Sequence, residues 1–159
     1  MKGLSSLERT VLECLGNKTL TYHMIQEQSG LHDNVCFNVL QALIIRNVIG
    51  TDGVNYKVRS DLSPLMMEEI NSTEAREMES LELIEAVIEK KSDKVFRLRK
   101  IAMEERDEKI FLAMLSNIES FLNDAHKKAK DKMPHKEYKV VFWGVGEAGQ
   151  LMSQIVAGR

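Results

Sequence analysis

A chain of 159 residues with 43% hydrophobic and 29% charged positions can bury a core without metal or disulfide help, which excludes a largely disordered protein. A formal net charge of −2 excludes a bulk polyanion binder. The charge is unevenly spread: residues 1–60 carry six Lys/Arg against five Asp/Glu, residues 61–125 nine against sixteen, and residues 126–159 seven against three.

The start, Met1 to Thr10, holds no apolar run of signal-peptide length, and no later stretch approaches about 18 uncharged apolar residues. A cytoplasmic protein with no membrane partner is expected. Cys14 and Cys36 lack CxxC spacing and fall on apolar positions of predicted helices, as buried reduced thiols do.

Ser6 can cap a first helix reaching about Leu15, with Leu7, Val11, Leu12 and Leu15 along one face. Gly16-Asn17 stops it. Thr21 caps a short second helix to about Gln28, with Met24 or Ile25 turned inward, and Ser29-Gly30 supplies the turn. Asp33 can cap a third helix, where Val35, Cys36, Val39, Leu40 and Leu43 form an inward stripe and Asn34, Phe37, Asn38 and Gln41 lie opposite. After Arg46 the period changes. Val48 to Thr51 and Val54 to Val58 read as strands joined at Asp52-Gly53, a tight-turn pair.

Beyond Pro64 the pattern is helical almost to Met133. Met67, Ile70, Met78, Leu81, Ile84 and Ile88 mark one long helix, and Leu98, Ile101, Ala102, Leu112, Leu115, Ile118 and Leu122 continue the pattern, with Ser92-Asp93 as the divider. Glu104 to Lys109 lacks an apolar residue, so any seam there is charged or wet. Lys139 to Trp143 reads as a strand, and Gly144-Val145-Gly146-Glu147-Ala148-Gly149 fits GxGxxG ahead of an apolar helix, Leu151 to Val156.

The order helix, helix, Gly-turn, helix, Asp-Gly hairpin over about residues 6–59 resembles a winged helix-turn-helix. The run Gly30 to Leu43, followed by Asn47-Val48-Ile49, is similar to the turn, recognition helix and start of the wing in regulators of the MarR, PadR and TrmB types. Those families usually carry Gly where Asn47 stands, and Asn also adopts the left-handed conformation. The resemblance implies a mainly α fold, with a winged helix-turn-helix DNA-binding domain over residues 1–60 and a long helical dimerisation region over 61–133; residues 134–159 read by themselves as a strand-turn-helix tail that this fold does not account for.

It also implies a sequence-specific, DNA-binding transcriptional regulator with the third helix in the major groove. Asn34, Asn38 and Gln41 would pair with adenine edges, Phe37 would meet a thymine methyl, and His32 and Asp33 would sit at the helix start. Arg46, Lys57 and Arg59 would hold phosphates. Solvated or packed roles compete for each of these side chains. The third helix carries no Lys or Arg before Arg46, and Ile44-Ile45 adds apolar surface, so an adaptor that binds another protein is the alternative.

The expected partners are double-stranded DNA, a second copy through residues 61–133, and a small-molecule effector that no residue identifies; an intrachain helical hairpin competes with the dimer. Lys127, Lys128, Lys130, Lys132, Lys136 and Lys139 could meet acidic helices of a partner, meet phosphates, or stay solvated. The glycine motif looks like the opening of a dinucleotide-binding fold. The chain ends at Arg159 without the further strands or the acidic residue about 20 positions on, so that reading requires a fragment. His23, His32, His126 and His135 have no metal-ligand spacing, and no nucleophile motif occurs; neither catalysis nor a cofactor is expected.

Overall fold

The structure, a computed structural model, describes residues 4–90 and 97–158. It is mainly helical, with one small antiparallel sheet, and divides into two compact units: residues 1–91 with 132–139, and residues 92–131 with 140–159. Among the described residues no helix is long and apolar enough to cross a membrane.

The first unit opens with α1, Ser6–Leu15. Its cap is Ser5, one residue earlier than the sequence suggested. Ser5 Oγ accepts the Glu8 backbone N–H at 3.2 Å while the Glu8 carboxylate accepts the Ser5 N–H at 2.8 Å, a reciprocal capping box. Val11 and Leu15 of the helix and Leu4 just before it face inward, while Leu7 is 42% exposed.

A two-residue strand, β1 (Leu20–Thr21), precedes α2 (Tyr22–Ser29), and Thr21 both pairs in the sheet and caps α2. Ile25, not Met24, enters the core. Gly30 ends α2 in the left-handed region, φ 71°. Helix α3 runs Asp33–Ile45 and packs Cys36, Val39, Leu40 and Leu43 inward. Val35, expected in that stripe, is 36% exposed, because it sits at the edge of the apolar arc.

Asn47 takes φ 57° after α3. The Val48 N–H reaches the Leu43 carbonyl and the Asn47 N–H reaches that of Ile44, both at 2.9 Å. This pairing ends a helix with its last carbonyls satisfied. Val48, whose side chain is fully buried, carries the chain into β2 (Ile49–Thr51) and β3 (Asn55–Val58). The sheet order is β1-β3-β2, with Leu20 opposite Tyr56 and Ile49 opposite Val58. A two-residue strand with one inward side chain gives no periodic signal, which is why β1 was not foreseen.

The single long helix expected after Pro64 is broken. Asn71 ends α4 (Pro64–Ile70), and Ser72 caps α5 (Thr73–Glu89) through the Ala75 N–H at 3.2 Å. Ala75 is buried, the Arg9 guanidinium reaches the Ile70 carbonyl at 2.9 Å and Glu79 at 2.7 Å, and Glu82 accepts the Ser6 N–H at 3.1 Å. The first unit therefore runs past residue 60. It also takes in a short 3-10 turn, His135–Glu137, packed on α1 and α2.

The second unit contains α6 (Glu105–Ala129) and α7 (Ala148–Ala157), neither with a buried residue. Leu98, Ile101 and Ala102 precede α6 instead of extending it, because helix starts at the acidic run, where Glu105, Asp107 and Glu108 face exposed N–H groups. The Ser92-Asp93 divider lies outside the described residues. Lys139 to Trp143 does not form a strand, and Val140 and Val141 are half exposed.

Candidate nucleic-acid interface

The outer side of α3 is exposed and carries polar side chains among apolar ones. His32, Asn34, Phe37 and Asn38 are exposed, Phe37 at 53%, whereas Gln41 is half-buried. The two asparagines stand one helical turn apart. Their positions follow from the opposite stripe: burying Cys36, Val39, Leu40 and Leu43 turns residues 34, 37 and 38 away from the core and leaves residue 41 at its edge.

The N-terminus of α3 is held by Tyr22 and not by a side-chain cap. His32 occupies the cap position without capping through its side chain, and Asp33 is the first helical residue. The Tyr22 hydroxyl donates to the Asp33 side chain and lies 2.8 Å from both its carboxylate and its carbonyl oxygen. That hydrogen bond, more than desolvation, pushes the Tyr22 hydroxyl up to about 12. Asp33 is thereby engaged by a neutral donor, which leaves its negative charge at the helix start, where the macrodipole favours it.

The three expected phosphate ligands have different settings. Arg46 is not one of the uncovered cations: its guanidinium lies 3.2 Å from both Glu8 carboxylate oxygens and 3.7 Å from Glu69, at 19% side-chain exposure. It ties the end of α3 to α1 and α4. Arg59 is 2.6 and 2.9 Å from the Asp61 carboxylate on the surface, and this pairing holds Asp61 down at about 2. Lys57 is exposed on β3, opposite Gly50. The hairpin tip is built by Asp52, whose carboxylate accepts the Val54 and Asn55 N–H groups at 2.9 and 2.7 Å and is held at about 2 by them. Only Gly53 takes positive φ there.

A fourth cation comes from far along the chain. Lys136 lies across the turn into α3, its Cβ 2.8 Å from the place a Gly30 side chain would occupy. Its Cγ and Cδ follow at 3.7 and 3.5 Å, and the residue as a whole is exposed. The local sequence marks neither Tyr22 nor the place of Lys136, which reads there only as one of six lysines of the basic tail.

Elsewhere, Gly146 is followed by α7, with Leu151 within 3.1 Å of a Cβ built on Gly146, and no strand precedes the glycines. The strand-glycine-helix arrangement of a dinucleotide site is therefore not formed here. Among the described residues no three His, Cys, Asp or Glu side chains are grouped to hold a metal ion. No protein-family model, curated protein or solved structure matches this chain.

Proposed function

We propose that residues 4–59 are a winged helix-turn-helix and that the protein is a sequence-specific, DNA-binding transcriptional regulator acting as a homodimer. The observation that carries this reading is the exposed amide ridge of Asn34 and Asn38 on a helix whose other side is fixed in the core. A helix of this kind fits the major groove, where an amide pairs with N6 and N7 of adenine. The α1-β1-α2-α3-β2-β3 order and the β1-β3-β2 sheet support the hairpin as a wing.

Cations on the helix itself are missing, so affinity draws on the flanks. Lys57 and Lys136 are exposed, and the exposed Arg59–Asp61 pair is weak enough for a phosphate to displace the carboxylate. Few phosphate contacts mean a shallow salt dependence and weak nonspecific binding.

Fluorescence anisotropy on duplexes selected from genomic DNA, over a salt series, tests this. Asn38→Ala should relax sequence preference by about 1–3 kcal/mol at one base pair, and Lys57→Ala should weaken all sequences alike and lower the salt slope by about 1. Asp61→Asn should raise affinity by releasing Arg59. Unchanged binding in all three variants would sink the major-groove reading.

A protein-binding adaptor is the second reading, favoured by the 53% exposure of Phe37 and 78% of Ile45. It predicts no selected duplex and no salt slope.

A further inference from the structure

Helix α6 is 25 residues long and buries none of its side chains. Phe111, Leu115, Ile118, Leu122, Ala125 and Ala129 recur along it in alternating steps of four and three. That spacing keeps one seam turned toward a partner helix through a left-handed supercoil. Met114 and Phe121 border the seam on one side and Leu112 on the other, exposed at 57%, 70% and 47%. Along the seam Phe111, Leu115 and Leu122 are half-buried and Ile118 is 46% exposed, and an apolar stripe left in water to this degree is poorly stabilised, since helices of this kind depend on packing of the apolar face.

We propose that α6 pairs antiparallel with α6 of a second copy of this chain, Ile118 against the partner's Leu122, Leu115 against the partner's Ala125 and Phe111 against the partner's Ala129. Size matching favours this direction. Phe111 and Leu115 lie toward the N-terminal end of the seam and Ala125 and Ala129 at its C-terminal end, so reversal sets Phe111 and Leu115 each over an alanine and leaves Ile118 and Leu122 to pack on each other at the centre. A parallel pair would crowd Phe111 on its copy and leave voids between alanines.

Charge favours the same direction. The first turn carries Glu105, Asp107 and Glu108 against Arg106 and so is net negative, and the last turn carries Lys127 and Lys128 beside His126. Antiparallel pairing brings each acidic end toward a basic one, whereas parallel pairing stacks like on like. The flank agrees as well: Phe121 would meet the partner's Phe121 and bury the most exposed large apolar side chain of α6. The inference deepens the homodimer part of the proposed function and rests on self-association alone, so it stands or falls separately from DNA binding.

The test uses the full chain without DNA. Sedimentation across a dilution series should show a monomer–dimer equilibrium, and Leu122→Asp should shift it to monomer while helix content is retained. Under mild oxidation Phe121→Cys should form a disulfide-linked dimer above the wild-type background. Ala129→Cys should not, because the two copies of that residue would lie about 27 Å apart along the axis at 1.5 Å per residue. A monomer at every concentration, a dimer that survives Leu122→Asp, or cross-linking at residue 129 and not at 121 would each overturn the proposal.

Discussion

Glu8 is 9% exposed, yet its carboxylate is fully engaged, by the Ser5 N–H at 2.8 Å and by Arg46 at 3.2 Å. Removing Arg46 leaves that charge half-satisfied in a poorly solvated place and strips Glu69 of a partner. Arg46→Ala should therefore cost roughly 2 kcal/mol in urea unfolding, and Arg46→Lys should recover only part of it because the guanidinium fork is lost. Cys14 makes a second prediction. Burial, aided by neighbouring Glu13, raises its thiol from 9.0 to about 11. At a fixed pH below 9 the folded thiol carries about a hundredfold less thiolate, so alkylation should be slower by that factor than in urea. The folded state holds this proton more tightly than the unfolded one. Its contribution to stability is thus complete below pH 9 and is lost as pH rises toward 11, which a stability–pH profile of Cys14→Ala against wild type should show.

The turn between α2 and α3 joins two requirements at one glycine. Gly30 sits at φ 71°, and Lys136 Cβ lies 2.8 Å from any side chain placed there. Gly30→Ala should lose about 1–2 kcal/mol in denaturant unfolding and should speed amide exchange in residues 135–137, because the clash is relieved by displacing that turn. Local chemistry foretold much at this scale. Thr21 as a cap, Gly30 as a stop and Asn47 in the left-handed region are each dictated by one residue's hydrogen bonds or backbone freedom. The caps at Ser5 and His32 were displaced by one position, because adjacent Ser5-Ser6 and His32-Asp33 offer two starts and Tyr22 and the Leu4 packing decide between them. The broken α4–α5 connection was hidden in the same way: the apolar spacing continues across Asn71-Ser72, and only the Ser72 cap interrupts it.

The first compact unit is discontinuous, since residues 132–139 pack with residues 1–91. A chain ending after residue 91 should keep its fold and be less stable than this unit in the full protein, by about 1–2 kcal/mol for the apolar area of the missing segment. Amide exchange in α2 would report the loss. Equal protection in both chains would show that the segment contributes nothing. Sequence alone determined the helical character and, apart from Val35 and Gln41, the inward stripe of α3 and the polar residues opposite it, because periodicity and single-residue turn chemistry act within a few positions. Tertiary structure decided that Arg46 serves Glu8 and Glu69, that Tyr22 holds Asp33, that Lys136 reaches the α3 turn, and that Lys139 to Trp143 finds no sheet. Those outcomes depend on which residues meet across 11 to 106 positions of chain, and distance in sequence carries no signal of proximity in space.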